Sequence, residues 1–475
     1  MDKLTFLNQI DTMTGPSIRR FYMPGHKGRG LSEIVLPKMD ITEVEGADNL
    51  HHPQGVIAAL QKKMVADYKT RASWPLVGGS TLGIQAALLA LAQEGDKILV
   101  PTNAHRSVYG GLALARAEGI YLPPAMDRSW GLATHVSLEI LDQALTRHPE
   151  AVGMVLTNPT YYGTTSDVAA IAERLHQKGK WLLVDEAHGA HLAYCRTLPE
   201  DALSAGADMV VQSAHKTLAA YTQTGMLHLG TDRVDPERVQ RILGILETSS
   251  PSYPLMLSIE GALGQAQISG GRMMEDIAAA WDRAVLTFDA DDNIRLYTPD
   301  NGYPYDKSKW LFTVVDGSGH ALEKDLREKY GIWLEFATAH TLLAYTGMGT
   351  TREDLGALLE AIGAMNRKVS QDPQDHGARP SSEASGLWAV DHPLVVPLWQ
   401  AMLGQTEWVS LEQGAHRISG DFITPYPPGI PVVLPGERMT PEMVGKIQKA
   451  LDQGEEMMGI GLKDRVAVLC EKETD

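Results

Sequence analysis

Chemistry is densest where Met209-Val210-Val211-Gln212 runs into Ser213-Ala214-His215-Lys216. A short apolar run followed by a hydroxyl, an imidazole and a lysine reads as a buried strand that opens into a polar loop. A lysine placed there is poorly solvated, so its ammonium form is disfavoured and its amine is available as a nucleophile. Upstream, a second apolar run, Trp181-Leu182-Leu183-Val184, ends in Asp185-Glu186-Ala187-His188. An amine and a carboxylate at two strand ends suit an aldehyde cofactor with a ring nitrogen. The amine forms a Schiff base and the carboxylate keeps the ring protonated, which is what pyridoxal phosphate requires.

A phosphate needs backbone N–H groups at a helix start together with hydroxyls. Val77-Gly78-Gly79-Ser80-Thr81-Leu82-Gly83 supplies both ahead of an apolar helix. His105 follows the strand-like run Lys97-Ile98-Leu99-Val100. His51 and His52 have no third ligand at a sensible spacing, so no metal site is expected.

The elements that position these residues alternate. Helical spacing covers Ile57 to Tyr68, Gly83 to Gln93, Ser137 to Arg147 and Val168 to Lys178. Strand-like runs stand at Lys97 to Val100, Gly153 to Leu156, Trp181 to Val184 and Met209 to Gln212. Such alternation predicts an α/β fold with a mostly parallel sheet and chemistry at the carboxyl ends of its strands. A helical stretch after Glu260 runs through Met273 and Trp281. A smaller α+β domain is expected next, with a strand at Trp310 to Val315 and helices at Leu322 to Tyr330, Asp354 to Lys368, Leu394 to Leu403 and Pro441 to Met457. Gln371 to Gly386 reads as an exposed loop. The expected division is an N-terminal segment with a short helical start (1–55), a large cofactor-binding domain (56–295) and a C-terminal small domain (296–475).

With 42 basic and 59 acidic side chains, a formal charge of −17 disfavours nucleic acid and anionic membranes and favours a cationic substrate. Two cysteines, Cys195 and Cys470, cannot build a disulfide framework. Neither a signal peptide nor a membrane-length apolar run is apparent, so a soluble cytoplasmic protein is expected.

Several motifs together carry a family resemblance. They are Phe21-Tyr22-Met23-Pro24-Gly25-His26-Lys27-Gly28, Ala104-His105-Arg106-Ser107, Val184-Asp185-Glu186-Ala187-His188-Gly189, Ser213-Ala214-His215-Lys216, Thr248-Ser249-Ser250-Pro251-Ser252-Tyr253 and Pro425-Tyr426-Pro427-Pro428-Gly429-Ile430-Pro431. In this order the chain resembles the ornithine/lysine/arginine decarboxylases of the aspartate-aminotransferase fold (fold type I), in the short form without the additional N-terminal domain. The resemblance implies pyridoxal 5′-phosphate on Lys216, paired with Asp185 and stacked on His105. It implies phosphate contacts from Ser80, Thr81, Ser213 and His215, with Leu82 departing from the usual small residue. It places His188 near the ring as a proton donor. Thr248 would come from a partner subunit, so the site would be shared across a homodimer, with higher assembly left open. Glu437 would meet the distal cation of a basic amino acid.

The implied reaction is decarboxylation of arginine or lysine, less readily ornithine, to the amine and carbon dioxide. Two alternatives are another fold type I reaction (an aminotransferase or lyase) and a catalytically silent regulatory paralogue. Aminotransferases of this fold hold the substrate carboxylate with an arginine, and Arg417 is the candidate here, but it also matches an arginine of the decarboxylase pattern and so does not discriminate. His416 replaces the usual glycine before it. Trp74-Pro75 stands where the family more often has two aromatic residues, and Glu335-Phe336-Ala337-Thr338 keeps only part of the nearby pattern; both departures bear on substrate identity and not on the cofactor.

Overall fold

The computed structural model describes residues 18–470 except 28, 30–38, 45, 128–129, 289–291, 300–301, 303, 316, 372–391 and 426–428. The expected N-terminal helical start, Gly28, Tyr426 to Pro428 and residues 372–386 of the expected loop lie outside the described residues.

After β1 (Arg19–Phe21), helix α1 (Val56–Tyr68) leads into β2 (Ala72–Leu76), α2 (Gly79–Leu91), β3 (Lys97–Pro101), α3 (Arg106–Ala115) and β4 (Glu118–Leu122). Then come α4 (Leu138–Arg147), β5 (Gly153–Thr157), α5 (Val168–Gln177), β6 (Trp181–Asp185), β7 (Met209–Gln212), the single turn α6 (Ala214–Thr217) and β8 (Gly225–Leu229). Seven strands pair in the order β2-β8-β7-β6-β5-β3-β4. All adjacent pairs are parallel except the two made by β8. Leu182, Leu183 and Val184 are fully buried, because helices cover both faces of the sheet. Each such side chain contributes about 1.5–3 kcal/mol. One core joins the sheet to α2 and α3, and another joins it to α4 and α5.

Strand order brings the carboxyl ends of β2, β3, β5, β6 and β7 to one edge. The sequence fragments that follow them are far apart in the chain but meet there.

Helices α7 (Pro236–Leu246), α8 (Tyr253–Gln265) and α9 (Gly271–Val285) follow, α8 and α9 being joined by a π-turn at Ala266–Gly270. A second, antiparallel sheet contains β9 (Ile294–Leu296), β10 (Lys309–Val314), β12 (Phe336–Ala337) and β13 (Thr341–Tyr345), in the order β9-β10-β13-β12. Helix α10 (Gly319–Tyr330) leads to β11 (Ile332–Leu334), which pairs in parallel with β1. Ile294, Trp310 and Tyr345 of this region share one core with Tyr68 and Tyr161 of the larger sheet's side. The small sheet is thereby packed against the catalytic edge. Helix α11 (Arg352–Gln371) follows it.

The C-terminal part has its own three-stranded sheet and core around Leu411, Val433 and Ile447. Two expected helices are shorter than their apolar spacing suggests. Leu394 forms an isolated bridge with Glu437, and the helix covers only Leu398–Leu403. Pro397 disfavours helical geometry at Val396. The last helix spans Pro441–Asp452, opened by the Thr440 cap, and stops before Gly454 at φ +82°.

Candidate active site

Lys216 lies in α6, directly after β7, where two other segments brace the turn. The Gly25 N–H donates to the His215 carbonyl (2.6 Å) and the Met348 N–H to the Thr217 carbonyl (3.0 Å). A Cβ on Gly25 would lie 2.5 Å from the Leu218 carbonyl oxygen, so only glycine allows this approach. Residues 22–27, which would be a solvated loop by composition, are therefore packed into the protein, and Lys27 is 5% exposed.

A cavity of about 680 Å³ opens beside Lys216. Of the ten predicted site residues, Ser80, Thr81, His105, Asp185, His188, His215 and Lys216 line it. Ser213 is buried beneath and donates its hydroxyl to Ser80 Oγ (2.8 Å), so it orients Ser80 and is not itself in the lining. Thr248 is exposed beyond α7, and its carbonyl accepts from His51 Nε2 (3.0 Å). Glu437 is fully buried elsewhere, bound to His392 Nδ1 (3.1 Å) and the Leu434 N–H (2.6 Å). Arg417 donates to Glu407 (2.6 Å) and the Leu469 carbonyl (3.1 Å), and is not in the cavity lining.

Burial lowers the pKa of Lys216, although the charges of Asp185 and Glu335 oppose the shift. Its Nζ lies 3.1 Å from His188 Nε2. The other ring nitrogen, Nδ1, is 3.2 Å from the Tyr345 hydroxyl, whose own hydrogen goes to the Tyr161 carbonyl. His188 Nδ1 must therefore donate to Tyr345, which leaves Nε2 as an acceptor for Lys216. Burial, followed by the charges of Lys216 and Lys309, keeps His188 neutral, well below its ordinary pKa. The ring therefore holds the Lys216 amine by accepting a hydrogen bond, and desolvation favours the neutral amine.

Asp185 ends β6 and is 4% exposed. Its carboxylate accepts the Ala187 N–H (3.1 Å), and no described side chain donates to it. Burial raises its pKa, against the pull of Lys216 and that backbone N–H. A cation bound beside it would restore its charge.

His105 caps α3, and its Nδ1 accepts from the Ser107 N–H (3.2 Å), which holds the ring at the cavity wall. Burial and the nearby Lys216 lower its pKa to about 3. His215 Nδ1 donates to the Thr224 carbonyl (2.8 Å), and burial lowers its pKa to about 4. Its Nε2 can donate to an anion only once the ring is doubly protonated, which a phosphate would favour.

Helix α2 begins at Gly79, where φ is +75°, a backbone state suited to glycine. Gly78 provides no capping side chain, so the first-turn N–H groups beside Ser80 and Thr81 suit an oxyanion. Pyridoxal phosphate fits this donor set: an anion cradle, a flat aromatic wall, a buried carboxylate lacking a cation, and a poorly solvated lysine.

The fold and this geometry agree with comparisons to known proteins. The Orn/Lys/Arg decarboxylase major-domain model matches residues 32–354, and the family's C-terminal domain model matches residues 398–458. The chain belongs to the Orn/Lys/Arg decarboxylase family. It is 37% identical to the uncharacterized protein YaaO of Bacillus subtilis over 92% of each chain. It is 30% identical to the arginine decarboxylase of the same organism, over 93% of this chain and 92% of the relative. Lysine decarboxylase A from Pseudomonas aeruginosa superposes with TM-score 0.77 at 18% identity, covering 91% of this chain and 74% of that one, and shows the shared fold. The protein is a decarboxylase of a basic amino acid, with the aspartate-aminotransferase-like fold, and its family implies pyridoxal phosphate as the cofactor.

Three further residues gain their place at the site from the structure. Tyr161 follows the carboxyl end of β5, so the strand-end rule that located Asp185 also covered it. Glu335 lies between β11 and β12, and Tyr345 reads in sequence as one more core residue of Thr341-Leu342-Leu343-Ala344-Tyr345. Tyr345 carries no local signal, whereas Glu335 opens Glu335-Phe336-Ala337-Thr338, which keeps part of the family pattern.

Proposed function

We propose that this decarboxylase acts on arginine, with Lys216 carrying the cofactor and His188 positioning its amine and serving as proton donor at the end of the cycle. The observation that carries the reaction type is the cavity lining. Among the described residues it contains no arginine, and Arg417, the candidate clamp under the aminotransferase alternative, is paired with Glu407 outside that lining. A substrate carboxylate with no fixed cation departs readily as neutral carbon dioxide, whereas a clamp would stabilise it in place. Arginine is supported by the relatives. Those named arginine decarboxylase are about 30% identical and are covered over about nine tenths of their length, while an Escherichia coli lysine decarboxylase is 22% identical and covered over 64%.

Pyridoxal phosphate, when bound, supplies an electron sink for the pair left at Cα. The protein's own residues prepare its use. Ser80, Thr81 and the first turn of α2 would hold the phosphate, with Ser213 orienting Ser80. Asp185 would hold the ring nitrogen protonated, and His105 would cover one ring face and exclude water. His188 stands 3.1 Å from Lys216 Nζ, placed to relay a proton at the end of the cycle. Thr248 lies outside the cavity lining and would contribute from a partner subunit in a homodimer.

Release of carbon dioxide from arginine, lysine and ornithine, each incubated with the purified protein and pyridoxal phosphate, tests the reading. Release from arginine well above the others, lost in Lys216→Ala, is expected. A cofactor absorbance band without release from any of the three would overturn it.

A further inference from the structure

We propose that Tyr345, at the end of β13, is a positioning residue for Lys216. Its hydroxyl fixes the proton of His188 on Nδ1, so that the Lys216 amine donates to His188 and keeps its own lone pair free. The inference rests on the roles given above to Lys216 and His188 and deepens them.

The Tyr161 carbonyl can only accept, so the single hydrogen of the Tyr345 hydroxyl is committed to it. Toward His188 Nδ1, 3.2 Å away, the same oxygen is left as an acceptor, and the ring carries its proton there. Burial, followed by the charges of Glu335 and Asp306, raises the Tyr345 pKa well above its ordinary value, so the hydroxyl keeps its hydrogen.

A neutral imidazole has one N–H, and the partner of one ring nitrogen decides the state of the other. Nε2, 3.1 Å from Lys216 Nζ, is then an acceptor. In the opposite tautomer Nε2–H would donate to the amine and occupy the lone pair needed to attack a carbonyl. The two tautomers differ in whether Lys216 is a usable nucleophile.

Tyr345 is held firmly enough for this role. It is fully buried, and Lys309, its partner in register on β10, lies 4.8 Å over its ring while donating to the His188 carbonyl (3.3 Å). The rings of Tyr161 and Tyr345 stand nearly perpendicular to that of His188, at 78° and 81°, which sets the imidazole plane. Tyr345 is not in the cavity lining, so it acts through His188.

The first test reads the tautomer by nitrogen NMR of the full-length protein freed of cofactor and carrying labelled histidine. With the His188 signals assigned by their loss in His188→Gln, wild-type protein is expected to be protonated at Nδ1. Tyr345→Phe keeps the ring, removes the hydroxyl and should move the proton wholly or partly to Nε2. In the same variant, the rate of pyridoxal phosphate capture, followed by absorbance, should fall roughly tenfold, the size of one lost hydrogen bond. In the holoenzyme kcat for arginine should fall similarly, with KM little changed. Protonation at Nε2 in the wild type overturns the assignment whether or not the variant folds. So does a Tyr345→Phe protein that keeps the wild-type tautomer and capture rate. If Lys216→Ala still develops the cofactor absorbance band, the reading of Lys216 falls and this inference with it. If that band is lost and only Tyr345→Phe is without effect, the role of Tyr345 alone falls.

Discussion

Two buried groups in this protein contain the same three residue types and do opposite things. In one, Lys216 touches His188, and Asp185 lies within electrostatic reach without pairing. In the other, Lys309 Nζ pairs with Asp306 Oδ2 at 3.0 Å, and Asp306 Oδ1 meets His191 Nε2 at 3.0 Å. Lys309, Asp306 and His191 are all fully buried, and Lys309 also lies 4.8 Å over the Tyr345 ring and donates to the His188 carbonyl (3.3 Å). Burial alone would raise the pKa of Asp306, but Lys309, His191 and Ser308 together hold it below the ordinary carboxylate range.

The difference lies in whether the charges cancel at contact. Where lysine and carboxylate meet directly, the pairing holds the carboxylate ionised and the group is a structural anchor. Where the lysine instead meets a neutral imidazole at a cavity, desolvation is left to lower its pKa, and the amine becomes usable. The anchor also serves the site, since its lysine stands behind His188 and helps keep that ring neutral.

Exchanging or deleting members of the two groups should separate their roles. Lys216→Ala should reduce turnover on the order of 10⁴-fold or more, as removal of a covalent nucleophile does, with little change in melting temperature. A loss of stability matching that of the anchor variants would erase the distinction. Asp306→Asn should cost roughly 3–5 kcal/mol in denaturant unfolding, because it leaves Lys309 buried and uncompensated. The protein that still folds should bind cofactor normally. His188→Gln should lower kcat by roughly 10²-fold, a cost of about 2.7 kcal/mol in the barrier, while stability is nearly unchanged. An unaltered kcat would remove His188 from proton transfer.

The smallest effect is on pH dependence. His188 and His191 have folded pKa values below their ordinary ones, chiefly from burial, and His105 and His215 fall to about 3 and about 4. Such groups bind more protons when unfolded. Their stabilisation is present above about pH 6.5 and declines as pH falls below it. Asp306, depressed as well, adds its own loss below about pH 4. Urea midpoints should thus fall between pH 7 and pH 5, and the steeper acid loss below pH 4 should be blunted in Asp306→Asn. A flat profile from pH 7 to pH 5 would contradict burial of the neutral imidazoles.

Much of the site was legible because its chemistry follows local rules. A lysine, an aspartate and a histidine after apolar runs, and a glycine-hydroxyl segment before a helix, identify strand ends and an anion cradle without knowledge of strand order. The resemblance then pointed to the reaction. The limits are equally specific. The burial of Lys309 is not legible: it adjoins an apolar run, Trp310 to Val314, at the amino end, where the strand-end rule expects no chemistry. Its difference from Lys216 depends on what packs against each amine.

The sequence by itself therefore determined the α/β alternation, the set of strand-end residues and the family, because periodicity and short motifs are properties of neighbouring residues. Only the tertiary structure decided that Ser213 supports Ser80, that Arg417 and Glu437 are spent elsewhere, that Tyr161 and Glu335 join the cavity, and that Tyr345 stands behind His188. Those outcomes depend on strand order and on docking of the small sheet. Both are set by burial of one shared core between segments hundreds of residues apart, which no local pattern encodes.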